Sequence, residues 1–332
     1  MAGFFAKRLA STVMIIGALI LIMVVLSAMS PITPGRVALG PKATTAAIAA
    51  YDEKIGFNDP LPIRYMHYVE NLLRGDLGVS ARTQRSVAGD IVVLWPATFE
   101  LALYGMTLAI LLGLILGGLG AYPWRGSFAL RASMTFFGSA PAFLLAFALL
   151  LVFGQSLGWL PLSGRTAFPD PPTGPTGLLT VDTVLIGRLD MWVDAIRHLL
   201  LPAVTIALLP AVAIGRILRS STREVLRANY IKTARTKGLS ELSVFRRHAL
   251  RNASGPALSI TGLQFGLMLS GVIIIEGIFG WPGLGTYVAE SIPANDFPAI
   301  SAVTLILGVA YVLINLVVDL LQTWADPRVT AS

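Results

Sequence analysis

Six long apolar runs constrain the fold of this chain more than any other feature of its sequence. A helix of about 20 apolar residues crosses the roughly 30 Å of hydrocarbon in a bilayer. Helices also satisfy their own backbone hydrogen bonds there, which irregular segments cannot do. The sequence therefore predicts an all-α membrane protein with six transmembrane helices, at Leu9–Met29, Ala97–Ala121, Ala132–Phe153, Leu199–Leu218, Ala257–Ile275 and Ala299–Leu321.

A low content of charged residues agrees with insertion in a membrane. Only 13% of the 332 residues are charged, whereas soluble domains carry about 25%. The first apolar run follows Lys7 and Arg8, as a signal peptide would. That run is longer than the apolar region of a signal peptide, which has about 7–15 residues, and no Ala-x-Ala cleavage site follows it. We therefore interpret it as the first membrane helix.

The sequence lacks the residue patterns of the common catalytic and metal sites. It has no cysteine, and His67, His198 and His248 lie far apart without metal-ligand spacing. It contains no G-x-x-x-x-G-K-[ST] phosphate loop, no H-E-x-x-H pair and no G-x-S-x-G elbow. We expect no metal site, no cofactor bound by this chain and no ATP hydrolysis by it.

Prolines, glycines and one acidic residue mark special positions in the runs. Pro96 is expected in the first turn of the second helix, and Pro141 is expected to kink a buried third helix. Glu100 is expected at the membrane interface or as a polar contact inside the bundle. Four glycines, in pairs four residues apart, predict close helix packing: Gly113, Gly117, Gly262 and Gly266.

Polar stretches divide the chain into three parts. Residues 1–30 form an N-terminal tail and the first helix, residues 31–95 an external loop or subdomain, and residues 96–332 the core with five helices. Within 31–95, apolar residues at helical spacing from Tyr65 to Leu72 predict a helix that ends at Gly75. The run PDPPTGPTG at 169–177 predicts an exposed irregular loop.

The distribution of basic residues predicts the orientation of the chain. Fifteen Lys and Arg residues fall in the termini and in the loops on one side, ten of them between Arg216 and Arg251. The loops on the other side are much longer and hold the other ten. Because basic loops stay in the cytoplasm, both termini are expected inside and the loops at 30–95, 154–194 and 276–298 outside.

The most basic segment is Arg227–Asn252, within a loop at about 219–256. Apolar residues at helical spacing, a stop at Gly238 and an N-cap at Ser240 predict two short amphipathic helices joined by a bend. Such a segment could bind acidic lipid headgroups or a protein partner, and the charge pattern alone does not distinguish the two.

Seven residues of this segment resemble a known motif: Tyr230, Ala234, Gly238, His248, Leu250, Arg251 and Asn252. They resemble the cytoplasmic coupling loop, or EAA motif, of permease subunits in ATP-driven, binding-protein-dependent importers. One departure is Gly255-Pro256, where the family more often has Leu-Pro. The stretches Arg74–Gly78, Phe279–Gly285 and Val317–Arg328 resemble the dipeptide, oligopeptide and nickel class, in particular its first (B-type) permease.

The resemblance implies a type I ABC importer permease fold (MetI-like) with six transmembrane helices, in the cytoplasmic membrane. It also implies a second homologous permease, two cytoplasmic ABC ATPase subunits or domains that bind ATP and Mg²⁺, and an external solute-binding protein. The implied substrate is a di- or oligopeptide, with nickel or another small solute as the alternative. A self-contained secondary transporter is the alternative from another class. Lipid is an expected partner and nucleic acid is not.

The predicted external loop after the fifth helix carries the run FGWPGLG. Its apolar side chains suggest an exposed tip that lies in the lipid interface, packs on its own bundle or meets a partner. By resemblance, the loop contacts the docked binding protein through Phe279, Trp281, Pro282, Gly283 and Leu284.

Overall fold

The structure, a computed structural model, describes residues 2–29, 32–40, 42–172 and 174–325, and only the backbone of 2–9, 324 and 325. Lys7 and Arg8 are therefore described by backbone alone. Position 173 of the PDPPTGPTG loop and the end of the Val317–Arg328 stretch, Asp326–Arg328, lie outside the described residues.

Helices account for nearly all of the regular structure in the described ranges, where the strand-like pairing is a single bridge between Val79 and Ser86. Two π-helical turns, Leu150–Ser156 and Phe245–Ala249, continue α7 and α11. In chain order the helices are α1 (Ala2–Met29), α2 (Pro34–Leu39), α3 (Thr45–Lys54), α4 (Leu61–Leu73), α5 (Val87–Ala121), α6 (Ser127–Ser139), α7 (Ala142–Leu149), α8 (Leu179–Leu185), α9 (Leu189–Leu226), α10 (Asn229–Thr236), α11 (Glu241–Val244), α12 (Leu250–Phe279), α13 (Leu284–Ser291) and α14 (Phe297–Ala325).

Five described helices are long and apolar enough to cross a membrane, in the regions Ala10–Met29, Val87–Ala121, Leu189–Leu226, Glu241–Phe279 and Phe297–Thr323. A sixth span exists if the bent pair Ser127–Ser139 and Ala142–Ser156 counts as one. The helix predicted between Tyr65 and Leu72 is confirmed as α4, and Gly75 follows its end with φ of +77°.

The position expected for Pro96 is wrong. The second spanning helix begins at Val87 rather than Ala97, and Pro96 lies inside it. Val87 and Ile91, four residues apart, are both buried, so packing on one face holds the extra turns before the proline. That packing outweighs the hydrogen bond that a proline removes from a helix interior.

The expectation of a buried, kinked third helix is also wrong. The helix is interrupted at Pro141, and the axes of the helices on either side differ in direction by 109°. Pro141 precedes α7 with extended ψ of 141°, so it starts a new helix instead of bending an old one. Phe136, Phe143 and Phe147 are exposed on both sides of the break.

Residues Met1–Thr98 and Pro282–Val312 form one compact unit. In it, α4 packs on α1 and α14 around a core of Ile20, Val24 and Leu305. Tyr65 Oη donates a hydrogen bond to the Gly17 carbonyl of α1 at 3.4 Å. The polar 31–95 stretch is thus attached to the first spanning helix. The three-part division of the chain stays a prediction.

Residues Phe99–Trp281 and Leu313–Ser332 form the second compact unit. Here α12 packs along α9, and α6 and α7 also contact α9. Added Cβ atoms at Gly113 and Gly117 would lie 2.7 Å from Ile214 and 2.8 Å from Leu218, so larger residues would separate the helices. A Cβ at Gly262 would lie 3.0 Å from Asn315, whereas Gly266 is half-buried and its carbonyl accepts from Ser270 at 3.3 Å.

Candidate functional site

The segment Arg227–Asn252, called here the basic segment, folds as α10, a glycine bend, α11, a π-helical turn and the start of α12. Gly238 has φ of +82°, a conformation that residues with a Cβ rarely adopt. The Ser240 hydroxyl accepts a hydrogen bond from the Ser243 amide at 3.4 Å, which makes Ser240 the N-cap of α11. The predicted bend and cap are therefore confirmed.

A small apolar core lies under this bend. Ile231, Ala234 and Val244 are buried, and Val225, Leu226 and Leu239 pack against them. Tyr230 and Leu242 also fit the helical spacing of apolar residues in the sequence, but they are 46% and 66% exposed. The spacing alone does not single out Ile231 and Val244 as buried, because the apolar positions of such short helices fit more than one face. The segment packs on itself and so has a defined shape.

One ion pair joins the two sides of the bend. Arg235 Nε lies 2.7 Å from Glu241 Oε1, and Arg235 Nη2 lies 3.0 Å from Glu241 Oε2. The hydrogen bond to Glu241 raises the pKa of Arg235 above its ordinary value. The surrounding surface is basic and exposed, with Lys232, Lys237, Arg246, Arg247 and Arg251.

The predicted C-terminal half of the motif lies at the entry to α12. The side-chain amide of Asn252 donates to the His248 carbonyl at 2.7 Å, and Arg251 and Asn252 are exposed. Leu250 packs against Leu218 and Ala253, where α9 and α12 meet. The structure thus places the basic segment directly on two long helices, so that a displacement of the segment acts on both.

The apolar side chains of the run FGWPGLG are buried, so of the three expected alternatives the structure agrees with packing on the protein itself and shows no exposed apolar tip. Phe279, Trp281 and Leu284 are each at most 1% exposed. Gly280 ends α12 with φ of +56°, and the Trp281 amide then donates to the Glu276 carbonyl at 2.8 Å. This turn directs the aromatic side chains into the protein. Gly283 is also buried, and Pro282 alone of the five predicted contact residues is exposed.

A buried ion pair that the sequence analysis missed lies in the second unit. Glu100 is 1% exposed, and its Oε2 accepts from Arg165 Nε at 3.0 Å and Nη2 at 2.5 Å. Its Oε1 accepts from the Thr180 amide and hydroxyl at 2.7 and 2.6 Å. Arg165 Cζ also lies 6.0 Å from the centre of the Trp281 ring. Of the two expectations for Glu100, the structure supports the polar contact inside the protein.

Polar groups of the first unit surround Pro282. Arg82 Nη1 lies 2.7 Å from Glu290 Oε2, beside an open cavity of about 530 Å³ lined also by Pro282 and Gly283. Tyr287 donates to Asp90 at 3.1 Å, and burial raises the pKa of Tyr287 to about 12, which keeps it a donor. The exposed surface at this loop is thus polar rather than apolar.

Comparison with known protein families identifies the class of this membrane protein. Residues 109–331 match the model of the binding-protein-dependent transport system inner membrane component. Residues 1–102 match the model of the N-terminal region of the same membrane component. The chain belongs to this family.

Curated relatives cover almost the whole chain. The dipeptide transport system permease protein DppB of Alkalihalophilus pseudofirmus is 39% identical over 90% of both chains. The probable D,D-dipeptide transport system permease protein DdpB of Escherichia coli K12 is 38% identical over 97% of this chain and 96% of its own. The di/tripeptide transport system permease protein DppB of Pseudomonas aeruginosa is 37% identical over 99% of both.

Membership of the family confirms the predicted fold class, an all-α, MetI-like permease of the inner membrane. It also confirms that the chain is the membrane component of an ABC importer and not an enzyme, because separate subunits of these systems hydrolyse ATP. ATPase, binding-protein and second-permease partners follow from the family in general terms.

Proposed function

We propose that this chain is the permease subunit through which an ATP-driven importer moves di- and oligopeptides across the cytoplasmic membrane. The names of three relatives, for dipeptide, D,D-dipeptide and di/tripeptide transport, support the substrate class. The observation that carries the proposal is the basic segment, a self-packed element with an exposed basic edge seated on α9 and α12. Such an element can transmit force between a partner and the spanning helices.

The working complex would contain a second homologous permease, two cytoplasmic ABC ATPase subunits or domains and an external solute-binding protein. ATP and Mg²⁺ would be bound by the ATPases, with no cofactor in this chain. The charge asymmetry supports cytoplasmic termini and a cytoplasmic basic segment. The binding protein would then meet the polar surface around Arg82, Pro282 and Glu290, since the neighbouring Trp281 is buried.

Coupling would begin at the bend of the basic segment. Residues Tyr230, Gly238, Arg251 and Asn252 are exposed and available to a groove on the ATPase. Closure of the ATPase pair would shift α10 and α11 together, because Ile231, Ala234 and Val244 share one core. The shift would pass to α9 and α12, and the permease would alternate between inward- and outward-facing packings.

The experiment that tests this function is uptake by the reconstituted complex. Proteoliposomes that contain the complex and ATP, with binding protein on the opposite side, should accumulate labelled dipeptide. Omission of ATP or of the binding protein should abolish uptake. Uptake of nickel but not of dipeptide would reject the substrate class. Dipeptide uptake by this chain alone, driven by a proton gradient, would reject the importer itself.

A further inference from the structure

Two cavities in the first unit lie along α1, and neither is lined by residues of the basic segment. The first cavity, of about 300 Å³, is lined by α4 residues such as Arg64 and Asn71 together with Val24 and Ser27 of α1. The second is an open groove lined by residues of α1 and α4, among them Met14, Ala18, Leu21 and Met66. They follow one another along α1, since the groove borders its residues 14–21 and the cavity its residues 24–27.

Arg64 lines the cavity and has no ion-pair partner among the described residues. Arg64 Nη2 donates to the Ser27 hydroxyl at 3.2 Å, and its guanidinium lies 4.3 Å from the centre of the Phe57 ring. Within the described residues no carboxylate forms an ion pair with it, and burial lowers the pKa of Arg64. Arginine binds phosphate groups well because its donors match two oxygens at once.

Two more polar groups of the cavity suit a headgroup. Ser301 is 2% exposed, and its buried hydroxyl has no hydrogen-bond partner among the described residues. Buried hydroxyls are nearly always paired, so this one is a free donor for a ligand oxygen. Asp76 also lines the cavity, and one of its carboxylate oxygens accepts from the Gly78 amide at 2.9 Å. The lining therefore offers an anion site, a hydroxyl and a carboxylate.

The groove offers a place for an acyl chain. Its wall is almost entirely apolar, and Met14 and Met66 are 69% and 70% exposed. It runs beside Ala10–Met29, a helical stretch long and apolar enough to span the hydrocarbon. A water-soluble anion would fill the cavity but leave the groove empty, whereas a phospholipid fills both.

We propose that α1, α4 and the N-terminal end of α14 bind one phospholipid with an ammonium-bearing, zwitterionic headgroup. Arg64 and Ser301 hold the phosphate, Asp76 receives the ammonium, and an acyl chain lies in the groove. The site is independent of the transported solute, so it stands whichever substrate the importer carries.

The test is lipid titration of the purified full-length chain in detergent, followed by native mass spectrometry. Dioleoyl phosphatidylethanolamine should bind as one adduct, and more tightly than dioleoyl phosphatidylglycerol. Arg64→Gln should weaken the affinity for the ethanolamine lipid about tenfold, the loss expected of one charge-assisted hydrogen bond. Arg64→Lys should retain part of that affinity. The matched control is Arg74→Gln at the C-cap of the same helix, because Arg74 pairs with exposed Glu70 and lines neither cavity.

Two further variants separate the headgroup from the chain. Asp76→Asn keeps the acceptor for Gly78 and should remove the preference for the ethanolamine lipid. Ala18→Phe should block the groove and weaken binding of the lipid. Soluble glycerophosphoethanolamine should bind this variant as well as it binds the unaltered chain. Thermal unfolding of each variant verifies that it is folded.

Three outcomes would overturn the proposal. They are unchanged lipid binding by folded Arg64→Gln, a preference for phosphatidylglycerol, and binding of the soluble headgroup as tightly as the lipid. Displacement of the lipid by a dipeptide would instead assign the cavity to the substrate.

Discussion

Two arginine–glutamate ion pairs in the second unit have the same chemistry but differ in their exposure to solvent. The side chains of Arg235 and Glu241, in the basic segment, are 39% and 55% exposed. Those of Arg165 and Glu100 are 17% and 1% exposed. Water screens the first pair, so Arg235 and Glu241 can each leave the other and bind a different group at little cost in free energy. The second pair cannot be opened without leaving a buried charge.

The difference indicates which region is built to move against a partner and which is built to stay fixed. The buried pair ties the irregular segment around Arg165 and Gly177 to α5, with Gly177 accepting from Arg165 at 2.9 Å. The exposed pair joins the two sides of the bend at Gly238. A Cβ added at Gly238 would have no atom within 4 Å. Space around the bend is open, as a docking element requires.

The largest expected effect comes from opening the buried pair. Arg165→Met should destabilise the purified chain by about 3–5 kcal/mol, because Glu100 would keep a buried charge without a counter-ion. Thermal unfolding in detergent measures this. The double variant Arg165→Met/Glu100→Gln should recover most of the loss, and Arg197→Met, at an exposed arginine bonded to the Trp159 carbonyl, is the control. Equal stability of Arg165→Met and the unaltered chain would remove the distinction between the pairs.

A smaller effect is expected from one hydrogen bond to the same carboxylate. Thr180→Val keeps the shape of the side chain but removes the hydroxyl that donates to Glu100 and accepts from Tyr104 at 3.1 Å. We expect a loss of about 1–3 kcal/mol, the cost of leaving buried polar groups unpaired. Thr107→Val should change little, since the Thr107 hydroxyl bonds its own helix at an exposed position. Matching losses in both variants would contradict the special role of Glu100.

The smallest effect on stability is expected at the exposed pair. Arg235→Gln should cost at most about 1 kcal/mol, and 0.5 M salt should reduce even that loss. The same unfolding measurement applies. A loss comparable to that of Arg165→Met would show that the bend is a rigid structural element, and the comparison between the two regions would fail.

Local features of the basic segment could be predicted from sequence, and long-range features of the buried pair could not. Gly238 and Ser240 act through their own backbone and neighbours, so residue type and order were sufficient. Glu100 and Arg165 are 65 positions apart, and neither carries a local signal that names its partner. The burial of Trp281 depends in the same way on which groups pack around the turn.

Prolines show the same limit. Pro96 and Pro141 both lie in apolar runs, yet one stays within a continuous helix and the other starts a new one. Buried Val87 and Ile91 precede the first, whereas exposed Phe136 precedes the second. Tertiary packing decides between these outcomes, and the residue type alone does not.

A pair of matched glycine variants tests whether the basic segment couples ATP hydrolysis to transport. Gly238 and Gly187 are both exposed, with φ of +82° and +74° and open space around the Cβ position. A valine at either position carries a similar local strain of about 1–3 kcal/mol. Dipeptide uptake and ATPase activity are then measured in proteoliposomes that contain each variant complex.

We expect Gly238→Val to insert and fold normally but to lose uptake and association with the ATPases, whereas Gly187→Val retains both. Equal uptake by the two variants, at the level of the unaltered complex, would contradict a coupling role for the basic segment.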